Sequence, residues 1–296
     1  MSALRTVLAN SPLSAPLKRG ELTGGRVRLD FVEVAPVHKA FAPMVRQQAY
    51  DLCELAVVTA LQAVAHDRPV VLLPAVVASR FQRGCLIASR ARGPLAPRQL
   101  AGKRIGVRSF TQTTGMWVRA HLAADYGLAT ERMHWLTRDS AHVEQYADPG
   151  FVEHLPGDKS LPDMLRDGDI DAAILGNDLP QGDEFFPVIA DAATRDMAWW
   201  QRHRFMPINH MLVASREACR RDPEAVREAY RLLLQADRLI PAMADAPRPT
   251  LFGFDSLRIP ISVVIDACVA QGLLPRRLSV DEVFGPAEDI LGALPD

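Results

Sequence analysis

Three polar segments interrupt otherwise apolar runs, and they carry the residue types from which a ligand site is built. The first is Ile105-Gly-Val-Arg-Ser-Phe-Thr-Gln-Thr-Thr-Gly-Met-Trp-Val-Arg119. A short apolar strand runs into a polar turn, and a helix is expected to begin near Thr111. The first amides of a helix lack internal partners and carry partial positive charge. They form an anion site, to which Ser109, Thr111, Thr113 and Thr114 add hydroxyls and Gln112 an amide. A carboxylate or phosphate would suit it. The Gly-Lys-Ser/Thr ending of a Walker loop is missing. Without a ligand, Thr111 reads simply as a helix cap.

The second segment, Arg46-Gln-Gln-Ala-Tyr-Asp-Leu-Cys-Glu-Leu-Ala56, sets the charged Glu54 among apolar residues at the end of a strand. In open α/β sheets the carboxyl ends of strands face the ligand crevice. A carboxylate there can hold a ligand hydroxyl or move a proton; the plainer alternative is a carboxylate at a helix start. The third segment, Phe205-Met-Pro-Ile-Asn-His-Met-Leu-Val-Ala-Ser215, offers Asn209 and His210 just where the chain is expected to return between lobes. Histidine titrates near neutral pH and serves as acid or base. Arg80, in Ala78-Ser-Arg-Phe-Gln-Arg83, has the fork that grips a carboxylate through two bonds. Arg108 is a further carboxylate candidate, and His38, Trp117 and Asn177 are weaker ones.

Other chemistries lack their motifs. There is no Gly-x-Ser-x-Gly elbow, no GxGxxG and no HExxH. The eight histidines are scattered, so no cofactor and no dedicated metal site are expected; a single divalent ion held by distant residues stays open. Cys53, Cys85, Cys219 and Cys268 form no CxxC pair, and reduced, buried thiols are expected.

The elements that must position these groups alternate in type. Strands are expected at 4–8, 27–34, 50–55, 70–73, 85–88, 105–107, 133–136, 172–175 and 208–215. Helices are expected at 16–22, 37–47, 56–65, 111–126, 161–167, 223–240 and 260–271, followed by a terminal segment around 280–291. Such alternation implies an α/β protein with parallel sheets. The Pro/Gly break at 93–97 and an irregular segment at 195–207 bracket an inserted block. The expected division is therefore lobe 1 at 1–99 and 206–296, and lobe 2 at 100–205, with a ligand cleft between them.

The composition fits an ordinary soluble chain. Lys plus Arg total 34 and Asp plus Glu 35 in 296 residues, which argues against a nucleic-acid partner. Only four of the basic residues are lysines (Lys18, Lys39, Lys103 and Lys159), so thirty are arginines, best read as coding bias. No apolar run reaches the 18 or so residues of a membrane span, and the N-terminal residues lack the apolar core of a signal peptide. The expectation is a cytoplasmic protein with no membrane partner. The apolar helix at 57–64 is compatible with a homodimer.

With these segments in view, the chain resembles the 4,5-dihydroxyphthalate decarboxylase family, itself similar to type 2 periplasmic solute-binding proteins. The resemblance rests on Met44-Val-Arg-Gln-Gln-Ala-Tyr-Asp-Leu-Cys-Glu54, the Arg104–Arg119 segment, Ser160-Leu-Pro-Asp-Met-Leu-Arg-Asp-Gly-Asp-Ile-Asp-Ala172 and Phe205-Met-Pro-Ile-Asn-His210. The Asn10-Ser-Pro-Leu-Ser14 turn and the Gly115-Met116 pair depart from the family's usual text. The resemblance implies a two-lobed, periplasmic-binding-protein-like α/β fold. It also implies removal of one carboxyl group from an ortho-dihydroxylated aromatic diacid, so a small aromatic carboxylate is the expected partner. In that chemistry the turn at 109–114 and Arg80 would hold carboxylates, Glu54 would bind or deprotonate a ring hydroxyl, and His210 would give the ring carbon its proton. The competing expectation is a solute-binding or sensor protein for a small carboxylate, without catalysis. A third is a cytoplasmic biosynthetic enzyme on the same fold.

Overall fold

The computed structural model describes residues 1–176, 179–241, 243 and 245–292. Their first elements are β1 (Ser2–Val7), α1 (Ala15–Lys18), β2 (Val27–Phe31), α2 (Phe41–Gln47), β3 (Leu52–Ala56), α3 (Val57–Ala65) and β4 (Val70–Ser79). Next come β5 (Leu86–Ser89), β6 (Arg104–Val107), α4 (Thr113–Tyr126), β7 (His134–Thr137) and β8 (Val152–His154). They are followed by α5 (Leu161–Asp167), β9 (Ala172–Ile174), β10 (Phe185–Pro187) and α6 (Ala192–His203). The last are β11 (Ile208–Ser215), α7 (Arg216–Arg221), α8 (Pro223–Arg238), β12 (Leu251–Phe252), α9 (Phe254–Ala270) and α10 (Val280–Leu291).

The strands form two six-stranded sheets, ordered β12-β4-β11-β3-β1-β2 and β10-β5-β9-β6-β7-β8. Each sheet is mixed rather than purely parallel. β1, β2 and β3 run parallel, as do β6, β7, β8 and β9. β11 is antiparallel to β3 and β4, and β5 is antiparallel to β9 and β10. The reason is the crossing itself. β5 and β11 are the first strands after the chain changes sheets, so each starts at the cleft and runs away from it. The strands whose carboxyl ends face the cleft run the other way.

The crossing points also differ from expectation. β5 at Leu86–Ser89 already pairs within the second sheet, so the chain changes sheets after Ser79, ahead of the Pro/Gly break at 93–97. The segment at 195–207, expected to be irregular, is mostly α6. Only Asp196 and Trp200 of that helix are buried, which leaves no apolar stripe to read. It is held from outside by a buried ion pair of Asp196 with Arg83 at 2.7 Å and by Trp199 packed edge-on against Trp117. β4 extends through Pro74 to Ser79. Its pairing with β11 jumps from Leu72 opposite Val213 to Val76 opposite Met211, so Pro74 lies in a bulge where no N–H is needed. β8, β10, α7 and β12 were not anticipated, and α9 begins six residues before Pro260.

One hydrophobic cluster runs through both lobes, from Leu55 and Val58 through Ile105 and Trp117 to Leu257 and Val264. α3 is its spine, with residues 57–63 buried. A second cluster packs the other face of the first sheet against α8 and α10, and a third packs β9 and β5 against α5. Hydrogen bonds tie the lobes together as well. The Trp117 indole donates to the Ile208 carbonyl at 2.7 Å, and Arg119 donates to Gln271 at 2.7 Å. The four cysteines are buried. Among the described residues no helix is long and apolar enough to cross a membrane.

Candidate active site between the lobes

Glu54 and His210 come together through strand pairing. β3 is buried along its whole length between β1 and β11. Glu54 faces Leu212, and His210 faces Ala56. On an antiparallel pair, the residue two along from a partner is a diagonal neighbour on the same face. His210 therefore lies diagonally across from Glu54, and Glu54 Oε1 stands 2.8 Å from His210 Nδ1. A carboxylate only accepts, so Nδ1 carries the hydrogen. Glu54 Oε2 accepts the Ala9 amide at 2.6 Å. Both carboxylate oxygens are thus engaged, and His210 keeps Nε2 for a ligand. The register of β11 against β4 is irregular on both sides of His210, as is common where a sheet re-aims a side chain at a site.

Two adjoining cavities meet at this dyad. The smaller, about 290 Å³, lies in lobe 1 between the Asn10–Ser14 turn, Glu54 and the end of β4. The larger, about 660 Å³, opens between the lobes. They share Val37, Arg80, Asn209 and His210. His210 and Arg80 thus stand at the junction, within reach of a ligand in either space.

The anion turn closes the larger cavity from lobe 2. Ser109, Thr111, Gln112, Thr113 and Thr114 all line it. α4 begins at Thr113 with Gln112 at its cap, so Thr111 is not the cap. Its hydroxyl pairs instead with that of Ser109 at 3.0 Å. The Gln112 Oε1 is buried without a hydrogen-bond partner. Thr113 Oγ1 is a distant acceptor for the Val58 amide of lobe 1, at 3.5 Å. Thr114 Oγ1 accepts from Arg80 Nη2 at 2.7 Å. Behind the turn, the buried Arg119 donates to the Phe110 carbonyl at 2.7 Å, and its guanidinium lies 4.0 Å from the Phe110 ring centroid. Burial pushes Arg119 down to about 9.

Every described site residue singled out from the sequence, except Trp117, borders one of these two cavities, with Glu54 on the smaller. Arg108 lines the larger cavity but is already paired with Asp139 at 2.8 Å. His38 lines it too. Trp117 lines neither cavity; it is buried and its indole is spent on Ile208. Asn177 lies outside the described residues.

Several cavity residues had no signal in the sequence. Arg138 and Lys159 add positive charge, so Arg80, Arg108, Arg138 and Lys159 line the larger cavity together with the carboxylate of Asp139. Thr59, Phe41 and His142 complete the wall. His142 Nδ1 lies 2.9 Å from Thr59 Oγ1. Arg46 of α2 holds the His142 backbone, donating to the carbonyls of His142 at 2.8 Å and Ala141 at 3.1 Å. Burial first, then the neighbouring Arg108, His38 and Arg46, push His142 down to about 4, so the imidazole is neutral near pH 7. No sequence pattern surrounds these residues, because their partners come from distant elements. Among the described residues, no group of three or more His, Cys, Asp or Glu is placed to hold a metal ion.

Comparison with known proteins gives the same two themes. No family model matches the chain. The chain is 26% identical over 210 residues to a 4,5-dihydroxyphthalate decarboxylase of Comamonas testosteroni, covering 64% of this chain and 63% of that one. It is 28% identical over 166 residues to a 4,5-dihydroxyphthalate decarboxylase of Pseudomonas putida, covering 52% of this chain and 64% of that one. The matches thus span just under two thirds of either relative. Among solved structures, the periplasmic aliphatic sulphonate binding protein SsuA of Escherichia coli superposes with a TM-score of 0.62 at 13% identity, over 95% of this chain and 91% of that one. The desulfurization enzyme DszB, solved with biphenyl-2-sulfinic acid, superposes at 0.57 and 15% identity, over 98% of this chain and 97% of that one. The sequence resemblance to the decarboxylases and the two-lobed, periplasmic-binding-protein-like α/β fold both hold. Both a binding protein and an enzyme share the fold, so the fold alone does not separate them.

Proposed function

We propose that this chain is a carboxy-lyase acting on a hydroxylated aromatic dicarboxylate of the 4,5-dihydroxyphthalate type. The reading is carried by the Glu54–His210 pair at the junction of two cavities, the larger of which is lined by Arg80, Arg108, Arg138 and Lys159. The likeness to two proteins named 4,5-dihydroxyphthalate decarboxylase supports the same substrate class. One carboxylate is held by Arg80 with the hydroxyls and amides of the 109–114 turn, and a second meets Arg108, Arg138 or Lys159. Charge-assisted bonds of this kind are the strong ones.

His210 Nε2 then protonates the ring carbon that bears the departing carboxylate. The bond from that carbon to the carboxyl carbon breaks, carbon dioxide leaves, and the electron pair restores the aromatic ring. Glu54, with both oxygens engaged, orients His210 and stabilises its protonated form rather than touching the ring hydroxyl itself. A carboxylate buried beside a histidine does this by electrostatics and by fixing the tautomer.

The test is incubation with a panel of aromatic dicarboxylates, following carbon dioxide release and thermal shift together. Release from a hydroxylated diacid is the expected result. Stabilisation without release from any member would instead favour a solute-binding or sensor protein, the reading that the likeness to the sulphonate binding protein supports.

A further inference from the structure

His210 shares the larger cavity with His38 and His142, and His142 is held in place by contacts from lobe 1. His142 belongs to lobe 2, but lobe 1 sets its position. Arg46 grips its carbonyl and that of Ala141, while Thr59 meets its Nδ1. The Phe41 ring stands edge-on to both imidazoles, with centroids 5.5 Å from His142 and 5.3 Å from His210. Both histidines thus have Nδ1 spent on a neighbour, and both border the same cavity. They differ in partner. His210 faces the carboxylate of Glu54; His142 faces the hydroxyl of Thr59, with Arg46 and Arg108 close by.

Resting on the functional reading above, we infer that His142 contacts the ligand as well, its Nε2 taking a ring hydroxyl of the aromatic diacid while His210 addresses the carbon that loses the carboxylate. A neutral imidazole is a poor anchor for a carboxylate in a cavity that already holds Arg80, Arg108, Arg138 and Lys159. It is a good partner for a phenol, because its free nitrogen accepts the hydroxyl hydrogen when Nδ1 donates to Thr59. As His210 protonates the ring carbon, the hydroxyl proton moves toward His142 Nε2. When carbon dioxide has left, the proton returns from His142 to the ring oxygen, and His210, whose proton stays on the ring carbon, takes another from solvent. This role falls to His142 because Glu54 already has two partners.

Isothermal titration of the full chain with 4,5-dihydroxyphthalate and with phthalate, which lacks both hydroxyls, tests the assignment. The parent should bind the dihydroxylated diacid more tightly. His142→Gln should lose roughly three- to tenfold of that affinity, the size of one neutral hydrogen bond, and keep its affinity for phthalate. Thr59→Val, which removes only the hydroxyl that fixes Nδ1, should shift the same preference in the same direction. Equal losses for both diacids in both variants, or no loss in either, would overturn the role of His142 while leaving the decarboxylase reading intact. If the parent binds neither diacid, the functional reading fails and this assignment fails with it.

Discussion

Glu54 and His210 are 156 residues apart in the chain, yet their side chains meet at 2.8 Å because β3 and β11 are antiparallel neighbours in one sheet. The second oxygen of Glu54 is taken by the Ala9 amide, at the end of β1. Three strands thus fix one carboxylate, and the carboxylate fixes one imidazole.

His210→Gln is expected to lower turnover on a confirmed aromatic diacid by about 10²–10⁴-fold, the usual cost of removing a positioned acid. Binding should change far less, because the carboxylates are held by other groups. Steady-state kinetics beside titration separates the two, and near-normal turnover would show that His210 is not the acid.

Glu54→Gln keeps the size of the side chain and removes its charge. Turnover is expected to fall while affinity for the diacid stays near that of the parent, since the imidazole loses the charged acceptor that holds Nδ1–H and fixes its orientation. Turnover equal to that of the parent would argue against a positioning role.

Arg80→Met should weaken binding of a diacid by about tenfold to a hundredfold, as expected for losing a hydrogen bond to a charged group. Thermal shift against rising ligand concentration reads this directly. Unchanged affinity would remove Arg80 from the carboxylate site.

The stability of the fold should depend on pH in a stated direction. Burial pushes His121 down to about 3 and His142 down to about 4, each from 6.5. Between pH 6.5 and 4 the unfolded chain binds protons at both positions and the folded chain does not. Stability therefore falls as pH falls through that window; the effect of His142 levels off below about pH 4, that of His121 below about pH 3. His121→Phe, which retains an aromatic ring beside Trp117, should flatten the dependence of the urea midpoint on pH, whatever its effect on the midpoint itself. A slope as steep as that of the parent would rule His121 out as a source.

Arg83 is almost fully buried between Asp125 at 2.9 Å and Asp196 at 2.7 Å, where the chain passes into lobe 2. Arg83→Ala leaves two carboxylates without their cation. The expected loss is about 3–5 kcal/mol, measured by urea unfolding; a loss within the usual surface range would mean that water already serves these carboxylates.

Much of the architecture was legible in the sequence because its signals are local. The 161–167 helix, its Ser160 cap and the left-handed Gly168 that ends it are all written within nine residues. The strand at 208–215 was readable with the same bounds from its apolar run, and the terminal segment at 280–291 is a helix with a capping box at Ser279. The polar turn before α4 was legible by residue type alone, and its polar side chains line the larger cavity. α6 was illegible because its stability comes from Arg83 and Trp117, which lie 113 and 82 positions away from their partners Asp196 and Trp199.

The sequence by itself determined most of the strands and helices, and that polar side chains cluster at the ends of a few of them. Local backbone preference and apolar periodicity suffice for that. Only the tertiary structure decided which of those ends share a cavity. Strand order set Glu54 beside His210, the crossing after Ser79 brought Arg80 to Thr114, and Arg46 and Thr59 carried His142 to the same wall. Each of these pairs depends on register and packing between distant segments, and no spacing within one segment encodes that.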